Sequence, residues 1–309
     1  SALGDVALRD AMQGAARAVV IVGALAENGA HAAAVRRAAA DFANATGAKL
    51  CRIPQGANAV GLGDYGVLPT SRDAQKMLTD PRSAYVIYGI EPGLDFADTA
   101  AALNALGGAQ VVAFSHFACR STRSVADVIL PIGLLPEIDA TLTNLDGRQQ
   151  SASAGGKLPG DARAGWRVLR ALGGELAADG FEFTDLAGLR ESMQMRDVKP
   201  VAGKAADASG DGLEIAASTA IYRCDAVVRR AAALQAHPLN LAPRAVLHPA
   251  DAGALSLADG DVGKFSAGAG TATLPVVLSD KVARGTVWIE SGHGATAPLG
   301  SGRVQAGRA

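Results

Sequence analysis

Cysteine is scarce: Cys51, Cys119 and Cys224 are the three in 309 residues. They are too widely spaced for a Cys-x-x-Cys pair, a cluster-ligand pattern or a disulfide framework, which fits a reducing cytoplasm. Aromatic residues make up only 4% of the chain, so alanine, valine and leucine have to fill its core. Charged residues reach 19%, below the ~25% usual for soluble domains, and a chain that hides part of its outside against partners has less need of them. Net charge is −1 and no long run of Lys or Arg occurs, which excludes an electrostatic footprint for nucleic acid or anionic lipid. No apolar stretch approaches the ~18–20 residues that span a bilayer, so direct membrane insertion is excluded. The opening SALGDVALRD lacks the basic-then-apolar order of a secretory signal. Glycine and proline together are about one residue in six, short of the ~25–30% of low-complexity chains.

What is present is a rhythm. Short apolar runs at Ala18 to Val22, Lys49 to Ile53, Ala84 to Ile90, Gln110 to Phe114 and Asp127 to Leu130 alternate with helix-like segments. His31 to Thr46 is alanine-rich and stops at Gly47, and Asp98 to Leu106 stops at Gly107 and Gly108, good helix-ending residues. Strand, helix, strand predicts βαβ units and a parallel sheet covered on both faces. Pro131 to Gly160 reads as loop, followed by helices over Asp161 to Ala178 and Thr184 to Met195, with Thr184 as N-cap. Lys199 to Gly212 is small, polar and aperiodic, a linker or surface loop. The last hundred residues predict a small barrel or sandwich. Short β-rich runs lie at Arg244 to His248, Val262 to Ala267, Thr271 to Leu278 and Thr286 to Glu290, with turns at 258–261, 269–270 and 284–285 and a helix at Ala250 to Leu257.

Isolated motifs carry little chemistry. Gly61-Leu62-Gly63-Asp64-Tyr65-Gly66 matches GxGxxG, but no strand runs directly into it and Leu68-Pro69 follow, so a glycine-rich surface loop is the better reading. His116 and Cys119 follow a strand, yet one such pair cannot complete a tetrahedral zinc site. Ser71, Ser115 and Ser124 lack nucleophile-elbow glycines. Asp127, Glu137, Asp139 and Asp146 suit capping and turns. Arg148, next to Asn144 and Gly147, offers a rigid fork that could clamp a phosphate or pin loop carbonyls and a carboxylate.

A longer pattern reaches further. The run ADVILP, with Asp127 and Pro131, leads to Glu137, then TLTNLDGRQQ and PGDARAGWRVLRAL. This resembles the molybdopterin oxidoreductase superfamily and, within it, is similar to the large iron-sulfur subunits of bacterial NADH-quinone oxidoreductase, respiratory complex I. Thr141, Asn144, Gly147, Arg148 and Gln150, then Pro159, Ala162 and Trp166, match the family's T-x-x-N-x-E-G-R-x-Q loop and P-x-x-A helix. Ala140 stands where the family usually has Gly, and Asp146 where it has Glu. ANAVGLGDYGVLP is similar to the family's N-x-x-G-x-x-D-x-G-x-x-P segment. HPADAGALSLADGDVGKF, with Gly260 and Asp261, looks like the start of the superfamily's C-terminal barrel.

The resemblance implies an α/β fold: a Rossmann-like parallel sheet domain over residues 1–130, a connecting loop and helices over 131–212 that return to a neighbouring domain, and a small double-psi β-barrel over 213–309. It implies Asp127, Pro131, Glu137, Asn144, Gly147, Arg148, Trp166, Gly260 and Asp261 as structural-motif residues, with no catalytic, cofactor-binding or metal residue. The family's cluster-binding cysteines lie in N-terminal motifs not found here, so the iron-sulfur clusters are expected in an upstream part of a longer subunit. The expected role is scaffold in the hydrophilic arm on the cytoplasmic side of the bacterial inner membrane, with the arm's other subunits as partners and a vestigial pterin pocket. The rival reading is the tail of a working molybdopterin enzyme such as a formate dehydrogenase, contributing to pterin binding. A third, a free nucleotide-binding module, implies binding of NAD or ATP.

Overall fold

The computed structural model describes residues 4–309 except 30, 70, 197–209, 269 and 301. In chain order, the first segment holds α1 (Val6–Gly14), β1 (Val19–Val22), α2 (Ala24–Asn28), α3 (Ala32–Thr46) and β2 (Lys49–Arg52). There follow α4 (Ala59–Asp64), α5 (Ala74–Thr79), β3 (Ala84–Tyr88), α6 (Thr99–Gly107), β4 (Gln110–Ser115), α7 (Arg120–Val125) and β5 (Val128–Pro131). Next come β6 (Ala140–Thr143), β7 (Gln149–Ala152), α8 (Gly165–Glu175) and α9 (Leu186–Ser192). The last segment holds β8 (Leu213–Thr219), α10 (Ala232–Gln235), β9 (Ala245–Leu247), α11 (Pro249–Ala254), β10 (Val262–Ala267), β11 (Gly270–Leu278), β12 (Thr286–Ser291) and β13 (Arg303–Arg308).

The chain packs as two compact units, Ser1–Gln55 with Val201–Ala309, and Gly56–Pro200. These do not coincide with the sequence divisions at 130 and 212, because the first 55 residues group with the C-terminal segment. There α2 lies against β8, and the Gln55 side-chain amide donates to Thr219 Oγ1 (3.4 Å). The predicted linker from Lys199 lies outside the described residues up to Ser209, as does Ala269 of a predicted turn.

In the first unit, β1 and β2 pair in parallel, Val19 opposite Lys49 through Val22 opposite Arg52. Helix α3 ends where the sequence says: Gly47 adopts φ +71°, a left-handed position that suits glycine. Beside this sheet the Glu27 carboxylate, only 7% exposed, takes Arg36 at 3.0 Å and both Nε and Nη2 of Arg52 at 2.7 and 2.9 Å. The Arg52 hydrogen bonds hold Glu27 below the usual carboxylate range, against the opposing pull of burial.

The same unit contains a closed six-stranded barrel in the order β10-β11-β9-β12-β8-β13, with β13 returning to β10. Pairing is mixed: β9 with β11 and β8 with β12 are parallel, the remaining pairs antiparallel. Along β11 burial alternates residue by residue, so Ala272, Leu274 and Val276 point inward while Thr271, Thr273 and Pro275 face out. Phe265, Leu247, Leu274, Val276, Val287 and Val304 fill the interior at 0–1% exposure. Gly263 leaves room for that filling, since a Cβ there would sit 2.9 Å from the Phe265 ring. Two of the six strands, β8 and β13, were not predicted. In β13, RVQAGR, Val304 is the only residue with a large apolar side chain, so its pattern hardly rises above that of a loop.

In the second unit β3, β4 and β5 form a parallel sheet with the predicted boundaries nearly intact. One face is covered, with Ile87, Val111 and Ala113 buried alongside Leu106 of α6. The expected cover of the other face is only partial: Phe114 on it is buried at 1%, but its neighbours are not. Val86, Tyr88 and Val128 are 64%, 48% and 47% exposed, and on that side Tyr88 meets α8 at Gly165 and stacks on Phe114 at 5.7 Å. The predicted loop over 131–160 contains an antiparallel hairpin, β6–β7, with Ala140 opposite Ala152 and Thr143 opposite Gln149. Its threonines and glutamines carry no apolar alternation, which is why it reads as loop. The following helix starts at Gly165 rather than Asp161, and Asp185, not Thr184, caps α9, its carboxylate accepting from Gly188 N–H (2.8 Å). The GxGxxG glycines do not form a surface loop: Gly61 and Gly63 lie inside α4, which begins before them.

Candidate functional site

The residues singled out in the second unit fall along one path. Asp127 and Val111 bond reciprocally: the Asp127 carboxylate accepts from Val111 N–H (2.7 Å), and Asp127 N–H donates to Val111 C=O (2.9 Å). Pro131 ends β5, and its carbonyl accepts from Arg163 N–H (3.3 Å). The Glu137 carboxylate accepts from Leu134 N–H (2.8 Å), closing a single helical turn. Asn144 builds the hairpin bend, with Oδ1 accepting from both Asp146 N–H (3.0 Å) and Arg148 N–H (2.9 Å). Gly147 completes that bend at φ +77° and donates to Asn144 C=O (3.0 Å). Arg148 contributes its backbone, and its exposed side chain pins no loop carbonyl or carboxylate among the described residues. Trp166 opens α8, its ring 6.1 Å from Phe183 and 4.7 Å below the Arg167 guanidinium.

Asn58 was not predicted, and it ties the N-x-x-G segment to the hairpin. Its Oδ1 accepts from Thr143 N–H at 2.8 Å. The glycine that follows at Gly61 is explained by the same contact, because a Cβ there would run into Asn58 Oδ1 and stand 2.9 Å from Thr143 Oγ1. The segment ANAVGLGDYGVLP was the signal, read for family but not for geometry.

In the first unit, Gly260 adopts φ +82° and donates to Val276 C=O (2.9 Å). Asp261 beside it accepts from Ala258 N–H (2.9 Å) and faces Arg308 at 3.6 Å. Together they turn the chain into β10. After β12, Gly292 at φ +83° lets His293 fold inward to 4% exposure. A Cβ at Gly292 would press on Arg223 C=O at 3.1 Å. Burial, with the Arg223 guanidinium adding repulsion, lowers His293 to about 4. Neither His293 Nε2 nor Arg223 Nε reaches solvent or a hydrogen-bond acceptor. A lone histidine in a glycine-rich stretch gave no sequence signal of this enclosure.

His116 and Cys119 do not converge on a ligand. His116 Nδ1 lies 3.3 Å from Ile132 C=O, and Cys119 caps α7 with Sγ 3.1 Å from Thr122 Oγ1. Among the described residues no group of three or more His, Cys, Asp or Glu is placed to hold a metal ion.

Residues 2–175 match the Molybdopterin oxidoreductase family, and residues 220–307 match the Molydopterin dinucleotide binding domain. The chain belongs to the molybdopterin oxidoreductase family. Within it, 69 residues are 38% identical to the mitochondrial NADH-ubiquinone oxidoreductase 78 kDa subunit of Neurospora crassa, covering 22% of this chain and 9% of that protein. A 49-residue stretch is 43% identical to the NADH-ubiquinone oxidoreductase 75 kDa subunit of Reclinomonas americana, covering 16% of this chain and 7% of that protein. The matched segments thus span less than a tenth of those relatives. The fold is also that of acetylene hydratase from Pelobacter acetylenicus, with a TM-score of 0.56 and 14% identity over 82% of this chain and 51% of that one.

The second family description raises a molybdopterin dinucleotide, and the barrel can be tested for its fit. A bulky polyanion needs donors that open onto a cleft. Among the described residues, the buried polar atoms without a partner, Arg223 Nε, His293 Nε2 and Arg303 Nε, are closed off from solvent and are not among such donors. The barrel interior is filled by its own side chains and leaves no room there for a dinucleotide.

Proposed function

We propose that this chain is the architectural, C-terminal portion of the large iron-sulfur subunit of an NADH-quinone oxidoreductase. It supports electron transfer from NADH to quinone in the hydrophilic arm without a redox centre of its own. The observation that carries this reading is sequence similarity, on top of a family match over residues 2–175. Similarity to two NADH-ubiquinone oxidoreductase subunits supports the choice of complex.

On this reading the partners are the other subunits of the arm, on the cytoplasmic side of the bacterial inner membrane. No helix among the described residues is long and apolar enough to cross a membrane, in keeping with attachment through partners. The exposed Val86 and Val128 on the strand face suit burial against neighbouring protein. Affinity purification through a tag on this chain in bacterial membranes tests the assignment. Co-elution of the NADH-dehydrogenase subunits in stoichiometric amounts is expected; a preparation without them overturns it.

A further inference from the structure

A cleft of about 460 Å³ lies wholly within the second unit, between the end of β5 and the start of α8. That volume is in the ~300–1,000 Å³ range of small-molecule sites. Arg163, Arg167 and Arg170 line it, against a single carboxylate, Asp161. Among the described residues none of the three guanidiniums has a carboxylate within ion-pair distance. Arg163 Nη1 donates to Ala162 C=O (2.9 Å), Arg170 Nε donates to Phe183 C=O, and Arg167 lies over the Trp166 ring. Each guanidinium carries five N–H donors in a planar fork, so most of their donor capacity faces the cleft or water. Three cationic side chains line one concavity against one carboxylate, and an oxyanion there would use the free donors.

From this we infer a binding site for a polyphosphate chain, two or more linked phosphoryl groups, held by Arg163, Arg167 and Arg170. The excess of arginine over carboxylate favours a ligand with at least two negative charges. The face of Trp166 that carries Arg167 is closed to a stacked nucleobase. Inorganic triphosphate and ATP should therefore bind alike. This site is independent of the proposed role in an oxidoreductase.

Calorimetric titration of the chain with sodium tripolyphosphate tests it. The expected result is saturable one-to-one binding at low salt that weakens as salt rises, with ATP matching tripolyphosphate to within about twofold. Arg167→Glu, at an exposed position whose side chain makes no hydrogen bond among the described residues, should weaken binding by about tenfold or more while leaving the circular dichroism spectrum unchanged. No saturable binding at low salt would overturn the inference. So would wild-type affinity in Arg167→Glu, or an ATP affinity far above that of tripolyphosphate.

Discussion

Acidification should expose the enclosure of His293. Its pKa in the folded chain is about 4, against 6.5 for the free side chain, because burial and the neighbouring Arg223 both oppose the charged ring. As pH falls below 6.5 the unfolded chain takes up a proton that the folded chain refuses, so stability declines with falling pH. The decline continues until the folded state protonates near pH 4. A shift of this size is worth ~3 kcal/mol in total at ~1.4 kcal/mol per unit, and about 2 kcal/mol of it is lost by pH 5. His293→Gln keeps a polar side chain without the titration. Urea unfolding of both proteins at pH 7.5 and pH 5 should show wild type losing about 2 kcal/mol more than the variant. Carboxylates such as Glu27, held low by Arg52, contribute stability that is lost only toward more acid pH, and equally in both proteins. Parallel losses in the two would refute the argument that His293 is sealed and neutral.

Other perturbations have simpler readouts. Phe265→Ala empties the centre of the barrel, where the ring is fully buried; a loss of about 3–5 kcal/mol in urea unfolding is expected. Gly147→Val forces a branched residue into φ +77°, while its Cβ would meet nothing within 4 Å. The cost is therefore backbone strain alone, about 1–3 kcal/mol by thermal melting. Gly61→Ala drives a methyl group into Asn58 and Thr143, and should cost ~1–3 kcal/mol and speed hydrogen exchange at Thr143 N–H, whose acceptor is Asn58.

Much of this architecture was legible in the chain, for identifiable reasons. Strands such as β3 and β4 are continuous apolar runs, and α3 and α6 stop at glycines, so their bounds follow from composition alone. The barrel was half visible: β10 and β11 alternate clearly, whereas β8 and β13 take their places through pairing with neighbours that were not yet known. The hairpin at Asn144 was hidden because its order comes from one amide oxygen taking two backbone N–H groups rather than from hydrophobic pattern. Cover on both faces of the parallel sheet was inferred from apolar strands, yet Val86 and Val128 stand open; apolar sequence marks a face that favours burial without saying what buries it. Arg148 drew notice for its side chain, and its backbone is what the fold uses. The Arg223–His293 contact joins residues seventy positions apart, a pairing that no local motif encodes.

Above all, this part of the molecule is proposed to be architecture, with the redox chemistry housed elsewhere. Elemental analysis of the purified chain for iron, molybdenum and tungsten, together with fluorescence of its acid-oxidised extract for pterin, bears on that division without intermediate steps. Substoichiometric metal and no pterin are expected; one equivalent of pterin with molybdenum or tungsten, or stoichiometric iron, would contradict it, and the first of these would favour the tail of a working molybdopterin enzyme.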